Sequence, residues 1–208
     1  MKNSFTVIAA ALLLATAPAL AQDLPKTQLK VVGSISSLAP YRDFEVPFWT
    51  KHLAEKSKGA ITAEIKGFNE MGLKGPEVLR LMSSGALEIG ATVLAYLAAD
   101  DPTNEAVDIA GLITSVDLSR KATEASKVMY EKLFQKFGVK LLAAGTYPAQ
   151  VLYCNAELKA LTDVRGKKVR VAGRSQSELV EALGGTPVTM AFGEVVPALQ
   201  NKTVDCGI

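Results

Sequence analysis

The sequence predicts an α/β fold, and three observations carry that prediction. Short apolar runs alternate with amphipathic stretches along most of the chain. The alternation is interrupted by Gly145-Thr146-Tyr147-Pro148 and resumes behind it with a second set of strands and helices. No repeat or low-complexity tract competes with that reading.

The elements follow in order. Leu29 to Gly33 reads as the first strand. A helix begins near Pro47, a first-turn proline, with Val46, Trp49 and Leu53 on one face. Ile61 to Phe68 reads as a second strand. Pro76 opens a helix that carries Val78, Leu79 and Met82 inward and that Gly85 is placed to close. Leu87 to Leu94 reads as a third strand, and 98–115 as a loop. Leu118, Ala122, Ala125, Met129 and Leu133 recur at helical spacing and predict a long helix to about Phe137, before a strand at Val139 to Ala144.

Behind the break, Val151 to Asn155 and Lys167 to Ala172 read as strands. Ser175-Gln176-Ser177-Glu178 has the form of a capping box for a helix that ends at Gly184-Gly185. Phe192 to Gln200 reads as a short helix in which Pro197 costs a backbone bond, and Thr203 to Ile208 enters a further strand. The predicted organisation is a signal peptide over 1–21, a first α/β domain over 22–146 and a partial second domain over 147–208. A second unit of two or three strands and no closing helix cannot cover both faces of its sheet, so the chain reads as the front part of a longer protein.

Lys2, the apolar stretch Phe5 to Ala15 and Ala19-Leu20-Ala21 form an export signal with cleavage after Ala21. The apolar stretch is too short to span a bilayer, and the lack of a cysteine beside the cleavage point argues against a lipid anchor. Lys and Arg (23) balance Asp and Glu (21) and are interspersed with them, which excludes a nucleic-acid partner. Cys154 and Cys206, bound for an oxidising compartment, either pair or remain two buried free thiols, and the sequence leaves both open. His52 is the only histidine, reads as a helix-surface residue, and leaves no metal-ligand spacing; neither a metal nor a cofactor is expected. There is no Gly-x-Ser-x-Gly elbow, no phosphate-cradling loop and no His-Glu-x-x-His, so a binding protein is favoured over an enzyme.

Five blocks then agree in register: Asp163-Val164-Arg165-Gly166-Lys167-Lys168-Val169-Arg170-Val171, Gly184-Gly185-Thr186-Pro187-Val188, Met190-Ala191-Phe192-Gly193-Glu194-Val195, Ala198-Leu199-Gln200, and Val204-Asp205. This order resembles the periplasmic solute receptors of TRAP transporters (tripartite ATP-independent periplasmic carriers), the family of the C4-dicarboxylate receptor. Lys58-Gly59 and the stretches Val78-Leu79 and Ser84 to Ile89 agree more loosely. The resemblance implies a periplasmic-binding-protein fold of type II, with two domains closing on a hinge around a small organic acid. It also implies delivery to membrane permease subunits by a monomeric receptor.

By position, the resemblance makes Arg170 the partner of the ligand carboxylate, and a planar guanidinium on a rigid strand matches a carboxylate in geometry as well as charge. Phe192 lines the cleft by the same resemblance. Thr146, Tyr147 and Gln150 occupy a segment where relatives place a second polar or basic contact, and no arginine stands there. Ser34 to Ser37, with Ser36, and Thr92 to Tyr96, with Thr92, supply the first domain's contacts. One anchoring arginine among apolar residues favours a monocarboxylate or keto acid with a hydrophobic tail. Arg174 reads as a helix-start surface residue. The alternatives are a receptor of an ATP-driven importer and a periplasmic enzyme on a related scaffold.

Overall fold

The computed structural model describes residues 24–208; the export signal lies outside them. The chain builds two small sheets. Strand β1 (Thr27–Gly33) is the centre of the first, with β2 (Ile61–Gly67) on one side and the two-residue β3 (Ile89–Gly90) on the other, all parallel. The second contains β4 (Tyr153–Cys154), β5 (Lys168–Val171), β6 (Thr186–Thr189) and β7 (Cys206–Gly207) in the order β4-β7-β5-β6. Here β5 lies between two parallel partners, and β4 joins β7 antiparallel at the edge.

The first helical run starts at Pro40, not near Pro47. Two wide turns, Pro40–Glu45 and Phe48–His52, lead into α1 (Leu53–Lys56). Pro47 lies between them with no N–H to donate, and the run absorbs the lost bond through i→i+5 contacts such as Val46 N–H to Tyr41 O. Helix α2 (Pro76–Ser83) has its proline in the first turn and Gly85 in the left-handed conformation just past its end. Val78 and Leu79 are buried as expected.

Helix α3 (Val116–Gln135) covers the predicted stretch, but only its second half is tied down. Tyr130, Leu133 and Phe134 pack with Leu79 and Leu97, whereas Leu118 is exposed. The expected strand over Val139 to Ala144 does not form. No main-chain hydrogen bond of the described residues involves 140–152, and a strand without a ladder partner has nothing to hold it extended. The third strand is likewise shortened, because the chain turns at Leu94–Leu97 into a 3-10 turn that buries Ala95 and Leu97.

In the second sheet, β5 alternates strictly. Val169 and Val171 point to one face, where they meet Val164, Val180 and Cys206; Arg170 points to the other. Each such valine, removed fully from water, contributes about 1.5–3 kcal/mol. Helix α4 (Arg174–Ala182) supplies Val180. Strand β6, which the sequence pattern does not announce, admits Pro187 because it is the edge of the sheet. Helix α5 (Val195–Gln200) follows a 3-10 turn, Phe192–Glu194. Pro197 is third in that helix, where no intrahelical donor is needed, so the expected cost does not arise.

Cys154 and Cys206 form a disulfide, resolving what the sequence leaves open, and it pins the short β4 to β7. It closes a loop with a sequence separation of 52. On loop-closure grounds, replacing both cysteines with alanine should destabilise the protein by about 2–4 kcal/mol. Denaturant titration with and without a thiol reductant checks this: the reductant should lower the wild-type midpoint and leave that of the double variant unmoved.

Candidate functional site

The strand alternation that buries Val169 and Val171 sends Arg170 to the opposite face of the sheet, where it is only 2 % exposed. Its Nε donates to the Met190 carbonyl at 3.0 Å and its Nη1 to the main-chain oxygen of Ile208. Nη2 approaches Tyr96 Oη at 3.5 Å, and the guanidinium carbon lies 5.9 Å from the centre of the Phe192 ring. Among the described residues, no side-chain carboxylate comes within ion-pair distance of it. Burial pulls its pKa below the ordinary arginine value, and Tyr96 opposes that shift. Buried charges in proteins are normally paired. This one has hydrogen bonds and, among the described residues, no side-chain counter-charge, and at least two of its five N–H groups have no partner there.

Tyr96 comes from the first sheet unit. Its ring lies against Gly75, which has φ +99°; a Cβ there would stand 2.4 Å from Tyr96 Cδ2, so only glycine lets the ring approach. Tyr96 Oη also accepts from the Phe192 N–H at 2.9 Å. Tyr147, half-buried, joins the group from the intervening segment. Its phenol pKa is raised, first by burial and also by Glu45 and Tyr96, while the Ser34 side chain opposes the shift. Glu45 is itself held by Ser34, taking its N–H at 2.8 Å and its hydroxyl through the other oxygen. Arg170 and Glu45 thus belong to different sheet units, with Tyr96 beside the guanidinium and Tyr147 near enough to Glu45 for that carboxylate to raise its pKa.

Further contacts join the two units. Glu105, buried in the loop before α3, accepts from the Ser175 N–H at 3.1 Å at the start of α4. The expected capping box at Ser175 is therefore corrected: α4 starts two residues earlier, Gly173 is its N-cap, and the acceptor comes from 70 residues away. A Cβ at Gly173 would fall 1.9 Å from Glu105 Oε1, so a side chain there would push the Glu105 carboxylate out of its place against α4. Ser175 Oγ instead donates to the Asp108 carbonyl at 3.2 Å. Lys74 and Glu194 form an exposed ion pair at 2.8 Å.

A profile of the bacterial extracellular solute-binding proteins, family 7 (DctP), matches residues 41–207. The chain belongs to the DctP family. The C4-dicarboxylate-binding periplasmic protein DctP of Rhodobacter capsulatus is 31% identical over 160 residues, covering 74% of this chain and 47% of that protein. The sialic acid-binding periplasmic protein SiaP of Vibrio cholerae is 26% identical over 156 residues, 74% of this chain and 48% of its own length. In fold, the chain is similar to DctP7, a Bordetella pertussis extracytoplasmic solute receptor binding pyroglutamic acid, with a TM-score of 0.77 and 24% identity over 87% of this chain and 60% of that one. The chain thus spans about half the length of these curated relatives and covers part of the two-domain fold of TRAP periplasmic receptors. Membership of the DctP family favours a TRAP receptor over one serving an ATP-driven importer.

Of the residues expected at the site from sequence, the DctP-family fold brings Arg170, Phe192 and Tyr147 into one neighbourhood. Gln150 is exposed and lines an adjoining apolar recess with Phe192, Val151 and Ile208. Thr92 and Ser36 are engaged elsewhere. The Thr92 hydroxyl donates to the Gly75 carbonyl at 3.0 Å, and Ser36 is gripped at N and Oγ by the Asn69 amide at 2.9 and 3.0 Å. Both act by shaping the loops that carry Ser34 and Tyr96. Arg174 pairs on the surface with Glu178 at 2.9 Å, as expected. Glu45 and Glu105 were not expected; nothing local in the sequence marks either, since each is defined by a distant backbone N–H.

Glu105 gives a pH prediction. Burial, the first cause, raises its pKa, with Asp108 and Glu178 adding, while the N–H groups of Ser175 and Arg174 oppose the shift. A carboxyl whose pKa is raised by folding holds its proton longer folded than unfolded. Its contribution therefore falls as pH rises from the ordinary glutamate range through the folded pKa. Glu105→Gln keeps the acceptor and removes the charge, so its melting temperature relative to wild type should rise across that window and level off above it. A difference independent of pH would refute the buried-charge assignment.

Proposed function

We propose that this chain is the ligand-capturing part of an extracytoplasmic TRAP receptor that binds a small organic acid through a carboxylate–Arg170 ion pair. The single observation that carries this is the buried guanidinium that no side-chain carboxylate of the described residues neutralises. Its free N–H groups match the two oxygens of a carboxylate, and in a water-poor cleft such a charge-assisted pair is about twice as strong as a neutral hydrogen bond. The printed ligands of the relatives (a C4-dicarboxylate, sialic acid, pyroglutamic acid) share a carboxylate, which fits the same anchor.

Charge across the cleft narrows the class. Arg170 stands on the second unit; Glu45, behind Ser34 and Tyr147, stands on the first. A second carboxylate aimed at that wall meets an anion, so the arrangement favours a monocarboxylate whose other end is apolar or donates hydrogen bonds. Phe192, 41 % exposed, offers its ring to such a tail. The role is binding rather than turnover in this reading, in keeping with the solute-binding family to which the chain belongs. No cofactor enters the mechanism.

In this reading the chain is exported with cleavage after Ala21, its first domain spans 22–146 and its second begins at 147. It acts as a monomer, and nucleic acid has no part in its role. Ligand selects the closed arrangement because contacts to both units exist only there, and its differential affinity sets the shift. The closed surface is what a membrane permease would receive.

A thermal-shift screen of organic acids tests the reading. At a hundred times its dissociation constant a monocarboxylate should stabilise the protein by about 2.7 kcal/mol. Arg170→Ala should abolish the response. Arg170→Lys, which keeps the charge but not the planar fork, should weaken it by tenfold or more. If every acid leaves wild type and variants alike, Arg170 is structural and the reading fails.

A further inference from the structure

We infer that Tyr96 is a ligand-binding residue in its own right, donating its phenolic proton to the same carboxylate that Arg170 holds. The inference rests on the proposed carboxylate reading of Arg170 and adds a contact from the opposite unit.

The argument is one of donors and acceptors. A phenol has one proton to give and lone pairs to receive. Tyr96 Oη receives from the Phe192 N–H at 2.9 Å and, at the limit of bonding distance, from Arg170 Nη2 at 3.5 Å. Both donors belong to the second unit. Among the described residues nothing accepts the proton of Tyr96 itself. An unused O–H therefore stands beside a guanidinium that has N–H groups to spare and, among the described residues, no side-chain carboxylate to pair with. Donors from two elements converge on one place, and the acceptor they share is missing from the protein's own side chains. A carboxylate oxygen satisfies both.

The ring is held for this purpose by packing rather than by its hydroxyl. It lies on Gly75, the position whose φ of +99° and 2.4 Å approach leave no room for a side chain. Tyr96→Phe therefore leaves the packing in place but removes both the donor and the oxygen that accepts from Phe192 and Arg170, so a second arm separates the two. Because Tyr96 belongs to the first unit and Arg170 to the second, a carboxylate bonded to both spans the cleft, which is how anion capture and closure become one event.

Acetate is the minimal carboxylate and tests the anchor without any tail. In protein labelled with 15N-arginine, the Arg170 Nε–H signal, assigned by its loss in Arg170→Lys, is followed during titration with sodium acetate at constant ionic strength, with acetamide as the neutral control. Acetate and not acetamide should move the signal, and Tyr96→Phe should raise the midpoint about 10–100-fold, the loss expected for one hydrogen bond to a charged group. Equal midpoints in wild type and Tyr96→Phe overturn the inference and leave the Arg170 reading standing. An Arg170 signal that ignores acetate in wild type removes both. As a second arm, 3-fluorotyrosine placed at Tyr96 gives a stronger donor and a weaker acceptor. Tighter acetate binding supports donation to the ligand, whereas unchanged or looser binding shows that Tyr96 serves only Phe192 and overturns the assignment.

Discussion

A buried guanidinium that no side-chain carboxylate of the described residues neutralises is the constraint on which the second sheet is organised. Taking a cation out of water is costly, and here the cost is offset by main-chain oxygens at Met190 and Ile208 and by the face of Phe192. Those partners require β6 and β7 to flank β5 in their observed register, with Arg170 opposite Val188 and Gly207. They also require Val169 and Val171 to fix the strand from the far side. An anchor on an edge strand would relax toward solvent, whereas on a central strand its direction is set by two ladders. Two unit charges 4 Å apart attract by about 4 kcal/mol at an effective dielectric near 20 but only about 1 kcal/mol in water. The burial that makes Arg170 expensive is therefore what makes an arriving carboxylate worth binding.

The links between the units differ in strength, and the differences suit a receptor. Lys74 and Glu194 are exposed, and such a pair contributes little to stability and is screened by salt. Glu105 against α4 is buried, but its carboxylate carries a desolvation cost that its hydrogen bonds only partly offset. Tyr96 to the Phe192 N–H is a single neutral contact. None of them alone would hold the units closed against the loss of freedom, so an added charge pair across the cleft can decide the equilibrium.

How far the sequence reveals this depends on how local each feature is. The strict alternation around Arg170, the first-turn prolines, the glycine stop at Gly85 and the extent of α3 are written in neighbouring residues and could be read directly. The resemblance supplied a role for Arg170 that alternation alone does not. What could not be read is relational. Ser175-x-x-Glu178 has the form of a cap, but Glu105 from a distant loop takes the position. Val139 to Ala144 has strand composition, yet composition forms no strand without a ladder partner. Thr92 and Ser36 each make one hydroxyl bond to the protein, to the Gly75 carbonyl and from the Asn69 amide, and no local pattern reports those partners.

The same logic explains why the ligand's identity resists reading from one strong residue. In the proposed reading Arg170 recognises a carboxylate, the group that the named ligands of the relatives share, so it would fix affinity and orientation more than choice. Choice falls to the opposite wall, where Glu45 is held with both oxygens on Ser34 and Tyr147 stands in front of it. A hydroxyl or amide N–H on the solute can use that acceptor-rich wall, and a second carboxylate cannot without displacing water from two like charges. Discrimination of this kind comes from the cost of leaving a buried polar group unmatched rather than from added attraction. It is also the kind most easily altered, since one substitution at Glu45 or Tyr147 changes the wall while the Arg170 anchor and the closing motion remain as they are.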